Sequence, residues 1–286
     1  MAERFVNWIE ASLAGAPREA FQRRLRQELE GRIHRMTITG IREGFSTVTP
    51  YLTAVDIERV MAFARETFGA VETGRSLAGG GHFHYEMRIG DSMLMCFGGK
   101  TFQGPDKPVA LHVYVPDTDA AYGRALEAGG ESLSAPEDKP YGERQAGVKD
   151  AAGNLWFIAT RRAGVPVVEG MRMVTPYLLA RNALGLIEFL KEAFGAKEIG
   201  VFQTPQGALL HGALRIGDAV LEMGEAEPMP GTFYLYVPDA DAVYEQAVRA
   251  GAKSLLPPAD QPYGDRLGVV EDAWGHGWCI ATHLGR

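Results

Sequence analysis

The stretch VTPYLTAVDIERVMAFARETFGAVETG, residues 48–74, returns as VTPYLLARNALGLIEFLKEAFGAKEIG at residues 174–200, with 13 of 27 positions identical. A repeat of this length decides the architecture, because each copy is one structural unit that must bury its apolar face against another. The correspondence continues downstream. Arg88-Ile89-Gly90-Asp91 returns as Arg215-Ile216-Gly217-Asp218, and Val115-Pro116-Asp117 as Val237-Pro238-Asp239. Tyr141-Gly142-Glu143-Arg144 becomes Tyr263-Gly264-Asp265-Arg266, and DAAGNLWFIAT (150–160) becomes DAWGHGWCIAT (272–282). The chain is read as a tandem duplication, with copies at 45–163 and 171–286 joined by Ala163-Gly164-Val165-Pro166.

Each copy divides again into two weaker halves. A short apolar strand comes first, Pro50 to Ala54 or Ala110 to Val115. An aspartate follows where a helix would start, Asp56 or Asp117, suited to cap its free N–H groups. Ile57, Val60, Met61 and Ala64 then fall at i, i+3, i+4 and i+7, one face of a helix. Glycine closes each helix, Gly69 or Gly129, and strands His82–Ile89 and Ser92–Phe97 turn at Gly90-Asp91. The unit is β-α-β-β-β, present four times, and the class is α+β. Residues 1–44 lie outside the repeat. Phe5, Trp8, Ile9 and Leu13, then Phe21, Leu25, Leu29 and Ile33, predict an N-terminal helical segment that caps the body or makes a homodimer contact.

Composition narrows the function. The 286 residues carry a net charge of −7, which argues against nucleic acid as a partner because phosphate binding needs a basic footprint. No run of about 18 apolar residues exists, so no membrane span is expected. Two cysteines cannot build a disulfide framework, and with no apolar signal core after Met1 a cytoplasmic location is expected. The 35 glycines have a cause in the repeat, since they punctuate the same helix ends and hairpins four times.

Four β-α-β-β-β units in collinear copies resemble the vicinal oxygen chelate superfamily, which includes glyoxalase I, bleomycin-resistance proteins and extradiol dioxygenases. PYLTAVDIERVMAFARETFGA and YGDRLGVVEDAWGHGWCIATH look especially like its PhnB-like glyoxalase subgroup. The resemblance implies two glyoxalase-like domains. In each, two units pair into a curved sheet around a cavity that binds a small molecule, with or without a divalent metal. It does not say whether the first unit pairs with the second or with the fourth.

The resemblance also implies four metal-ligand positions per sheet. They fall here on Thr49 and Thr175, Met95 and Glu222, Ala110 and Thr232, Phe157 and Cys279. A divalent ion needs imidazole, carboxylate or thiolate ligands, so one carboxylate and one thiol among eight positions predict no metal and no other cofactor. A cluster of His82, His84, Glu86 and His112 is the alternative route to a metal, because the first three share one strand face.

The cavity face that the resemblance implies, carried along each strand by alternation, would hold Met95, His84, His112 and Phe157 in the first copy, with His211, Tyr234 and Cys279 in the second. Tyr141 and Arg144, and their counterparts Tyr263 and Arg266, are candidates for a rim, where arginine could grip a carboxylate or phosphate. Trp156 and Trp278 are expected in the core. Glu222 is the candidate catalytic carboxylate, a general base if an apolar surround raises its pKa. The expected function is small-molecule binding in an apolar cavity without the usual metal. The alternative is a glyoxalase-type lyase or isomerase, or a dioxygenase-related enzyme, using Glu222 or an atypical metal site.

Overall fold

The computed structural model describes residues 40–285, apart from 79–81, 100, 103 and 166. The helices expected in the N-terminal segment fall outside the described residues. The first unit is β1 (Val48–Ala54), α1 (Ile57–Phe68), β2 (Val71–Ala78), β3 (His82–Ile89) and β4 (Ser92–Gly98). The second is β5 (Ala110–Tyr114), α2 (Thr118–Glu127), β6 (Glu131–Asp138), β7 (Glu143–Lys149) and β8 (Leu155–Arg161). The third is β9 (Val174–Ala180), α3 (Ala183–Phe194), β10 (Lys197–Gln203), β11 (Leu209–Ile216) and β12 (Ala219–Glu225). The fourth is β13 (Thr232–Tyr236), α4 (Ala240–Arg249), β14 (Lys253–Asp260), β15 (Asp265–Glu271) and β16 (Gly277–His283).

Local chemistry sets the helix ends. Asp56, Asp117 and Asp239 accept the N–H of the residue three positions on, and Gly69 and Gly195 end α1 and α3 in the left-handed region. The third unit departs from this rule. Asn182 stands where Asp56 stands in the first, and its side chain caps nothing. Glu225 instead accepts the Asn182 and Ala183 N–H groups at 2.6 and 2.9 Å. Its counterpart in the first unit is Gly98, at φ +154°, where a Cβ would lie 1.8 Å from the Ala54 carbonyl oxygen. One copy needs a glycine where the other uses a cap.

The sheets resolve how the units pair. Sheet I runs β14-β15-β16-β13-β1-β4-β3-β2 and joins the first unit to the fourth. Sheet II runs β10-β11-β12-β9-β5-β8-β7-β6 and joins the second to the third. The seams are antiparallel, with Thr49 opposite Tyr234 in sheet I and His112 opposite Thr175 in sheet II. The cores are divided differently. Leu52, Met61, Phe63, Leu111 and Trp156 pack into one cluster from the first copy, whereas Leu178, Leu186, Leu190, Phe233 and Trp278 pack into another from the second. Each tandem copy thus keeps its own core, while every sheet is built from both copies. Trp156 and Trp278 are fully buried against phenylalanines on the helix side. Among the described residues no helix is long and apolar enough to cross a membrane.

Candidate active site on sheet II

Strand alternation sorts the side chains of sheet II onto two faces. On β5, Leu111 and Val113 enter the core, so Ala110, His112 and Tyr114 lie on the other face. On β12, Leu221 and Met223 are core residues, which leaves Val220 and Glu222 on that same face. The seam between β5 and β9 then brings the two copies together. His112 Nδ1 lies 2.7 Å from Glu222 Oε2, a hydrogen bond in which the ring N–H donates, and both side chains are only 4% exposed. On the other side of the ring, Nε2 lies 3.4 Å from the Gln145 amide nitrogen and 3.7 Å from Glu143 Oε2. Arg161 in turn lies 3.4 Å from Glu143 Oε1, with its guanidinium 3.9 Å above the centre of the Tyr114 ring. His211 Nε2 stands 3.7 Å from the second Glu222 oxygen. Above this polar base lie three half-buried rings: Tyr177 is 5.2 Å from Phe157 and 6.2 Å from His211, centre to centre.

The Glu222 carboxyl is held below the ordinary carboxylate range. Burial is the largest influence and pushes it up. The charge and hydrogen bond of His112, helped by His211 and Arg161, outweigh burial and favour the ionised form. The burial expected to raise Glu222 is present but outweighed, so at neutral pH it is a carboxylate hydrogen-bonded to His112. Burial lowers His211, against the attraction of Glu222.

The other predicted residues divide cleanly. His112, His211, Phe157 and Glu222 meet on sheet II. Met95, His84, Tyr234 and Cys279 lie on sheet I. There Tyr234 donates to Asp265 at 2.6 Å, and the Tyr51 hydroxyl lies 3.2 Å from His84. Burial pushes the Cys279 thiol up to about 12, so it is no nucleophile at neutral pH. Tyr141 and Tyr263 are exposed, at 59% and 58%. Arg144 and Arg266 do not reach either face. Arg144 pairs with Asp119 and Asp138, Arg266 with Asp241 and Asp260. The acid beside each arginine turns the opposite way, because neighbours on a strand alternate. Arg144→Ala and Arg266→Ala are therefore expected to leave ligand affinity on either face unchanged, a titration result that a rim role would contradict.

Sequence reasoning missed Glu143, Gln145, Arg161, Tyr114 and Tyr177. The signal was available: Tyr141, Glu143 and Gln145 share one parity, and Arg161 shares that of Phe157.

A divalent ion in the position usual for this architecture would need ligands from Thr175, Glu222, Ala110 and Phe157. That donor set offers one carboxylate, with one oxygen already accepting from His112, and it does not fit the ion. His82, His84 and Glu86 lie on sheet I and His112 on sheet II, so the alternative cluster does not assemble. Among the described residues no group of three or more His, Cys, Asp or Glu side chains is arranged to hold a metal.

The comparisons with known proteins agree with this architecture. The model of the Glyoxalase/Bleomycin resistance protein/Dioxygenase superfamily matches residues 45–158 and 185–280. Glyoxalase I from Zea mays is similar in fold at a TM-score of 0.64 and 14% identity, over 82% of this chain and 92% of that one. A putative dioxygenase from Bacillus subtilis gives a TM-score of 0.56 at 15% identity, over 84% and 86%. An uncharacterized protein of Mycobacterium bovis is 34% identical over 122 residues, 37% of this chain and 80% of that protein. With both tandem copies matched and the two composite sheets in place, the chain belongs to the Glyoxalase/Bleomycin resistance protein/Dioxygenase superfamily.

Proposed function

We propose that the ring-lined face of sheet II is a metal-independent binding site for a small organic molecule, and that the chain falls in the PhnB-like subgroup of its superfamily. The observation that carries the binding reading is the buried His112–Glu222 pair beneath half-exposed Tyr177, Phe157 and His211. Sites of this kind combine apolar, aromatic walls with a few placed polar groups that fix orientation. The rings offer stacking surface, and the outer Glu222 oxygen, facing His211, offers an acceptor. The ligand is therefore a planar or partly planar molecule carrying a hydrogen-bond donor. The subgroup assignment rests on the Tyr263-Gly264-Asp265-Arg266 element and the ending from Asp272 to His283.

A thermal-shift screen of aromatic fragments in a chelating buffer tests this reading. Fragments that stabilise the protein should do so equally with and without chelator, and should lose their effect in Tyr177→Ala. Stabilisation that requires an added divalent ion would overturn it.

A second reading is favoured by the same pair. A histidine hydrogen-bonded to a carboxylate, with another histidine close by, is suited to move a proton on a bound substrate. Fragments that bind should then exchange carbon-bound hydrogen for solvent deuterium, and His112→Gln should abolish that exchange while leaving binding within about tenfold.

A further inference from the structure

Sheet I carries the same framework as sheet II, but the part of its face around Met95, Tyr234 and Tyr236 is covered by the chain itself. Phe45 is 8% exposed and packs with Met95, Tyr234 and Tyr236, with Ile41 against the same cluster. Its ring meets Tyr236 edge-on at 6.0 Å. Arg42 makes a two-point contact with Glu86, with Nη1 on one oxygen and Nη2 3.2 Å from the other, and stacks 5.0 Å from the Phe45 ring. The backbone fixes this segment at both ends. Phe45 N–H donates to Arg42 O, closing a turn, and His283 N–H donates to Gly40 O at 2.9 Å.

Three observations set this apart from ordinary core filling. The face holds a buried carboxylate, Glu86, at 9% exposure, whose two oxygens are met by Arg42, with His84 Nε2 3.8 Å from one of them; the other buried acid there, Asp265, is already bound by Tyr234, Tyr236 and His283. Packing alone would favour apolar groups there, because a buried carboxylate is costly without a partner. The arginine side chain itself is 41% exposed, so the cation lies at the mouth and not in the interior. Finally, Glu86 and Arg42 are present together on sheet I and absent together from sheet II. Ala213 stands on sheet II where Glu86 stands on sheet I, and the matching segment before β9 has Val168 and Met171 in place of Arg42 and Phe45. The acid belongs to the recognition of that cation.

We propose that the face of sheet I is a second recognition site, for a guanidinium or amidinium group carried beside an aromatic or alkyl group, which the chain fills in cis with Arg42 and Phe45. The planar cation matches the two Glu86 oxygens, as a fork matches a carboxylate. Any external ligand of this class must displace the Ile41–Phe45 segment. This inference stands on the other sheet from the proposed site and does not depend on it.

Methylguanidine at millimolar concentration is the probe, added to the full chain. The Arg42→Ala variant should bind it saturably by calorimetry, and its melting temperature should rise by on the order of 3 °C at ten times the dissociation constant. The wild type should show neither effect, because the site is filled. Methylammonium at equal ionic strength should do little, and the R42A/E86Q double variant should lose the response. If R42A does not fold, R42K serves, since a lysine reaches only one Glu86 oxygen and methylguanidine should still stabilise it. Equal responses to methylguanidine and methylammonium, a response that survives E86Q, or no saturable binding by folded R42A or R42K would each overturn the proposal.

Discussion

His112→Ala lowers the free energy of unfolding by about 3–5 kcal/mol at neutral pH, the range found when a buried charge is left without its partner. The size follows from what remains. Glu222, 3% exposed in the intact chain, loses a 2.7 Å hydrogen bond, and Glu143 loses its nearest imidazole. His211, at 3.7 Å and lowered by burial, is a weak substitute. Glu222→Gln costs less, about 1–2 kcal/mol, because an amide can still accept from Nδ1 without a charge to desolvate. The pH dependence separates the two variants. In the wild type the Glu222 carboxyl lies below its unfolded value, so its contribution is present above about pH 4.3 and is lost as pH falls through the folded value. In His112→Ala, burial, the largest influence, is opposed only by His211 and Arg161, and the carboxyl is expected to move above its unfolded value. Its penalty is then present at neutral pH and relieved on acidification. Denaturant melts from pH 7 to pH 5 should show the His112→Ala deficit shrinking, with Glu222→Gln nearly flat. A deficit that is constant with pH would mean that the loss is one of packing and not of charge.

Much of this site was legible in the sequence, for a specific reason. Strand parity places His112, His211 and Glu222 on one kind of face, whichever units pair. What parity cannot give is their meeting. Had the first unit paired with the second, His112 would have faced the Met95 strand; pairing of the second with the third brings it to Glu222 instead. Duplication hides that choice, because the edges of β1, β5, β9 and β13 are similar by descent, so either seam satisfies the apolar pattern. Helix starts and stops were readable because each rests on one local group, an aspartate or a glycine. The exception, Asn182, is capped by Glu225 from 43 positions away, a partner that no local pattern contains. The segment holding Arg42 and Phe45 was illegible for a related reason: it has no periodicity, and its meaning comes from Glu86 and Tyr236. The duplication therefore did not preserve two equivalent faces. Both keep half-exposed rings, Tyr177, Phe157 and His211 on sheet II and Tyr51 and His84 on sheet I, but only sheet I has Arg42 and Phe45 laid over part of its face.

Asp150→Ala should destabilise the chain by about 3–5 kcal/mol, and the form of its melt bears on how the two copies are joined. Asp150 sits in the turn before β8 at 4% exposure and accepts four hydrogen bonds: from the Ala152 and Asn154 N–H groups at 2.9 and 3.0 Å, the Asn154 amide at 2.8 Å and the Trp156 indole at 3.0 Å. Alanine leaves all four donors buried, each costing about 1–3 kcal/mol if nothing replaces the partner, with water and local rearrangement recovering part of the sum. Burial is the largest influence on this carboxyl and raises it, against the opposing hydrogen bonds. Its contribution is therefore greatest below the unfolded value and lost as pH rises through the folded one, so the deficit of the alanine variant should grow on acidification, opposite in sign to that of His112→Ala. Asp272 holds the matching turn before β16 with four bonds of its own, from the Trp274 and His276 N–H groups, the His276 ring and the Trp278 indole. The two turns serve different cores, so independent domains would answer separately: Asp150→Ala would split off an early transition for the first copy, and Asp272→Ala one for the second. The sheets predict otherwise. Neither core can unfold without stripping half of both sheets at the β1–β13 and β5–β9 seams. Each variant should thus shift one cooperative transition, seen alike by circular dichroism and by tryptophan fluorescence. Two separated transitions would show that the seams are too weak to couple the copies, and that the sheet II site, which takes His112 from one copy and Glu222 from the other, can come apart while both cores remain folded.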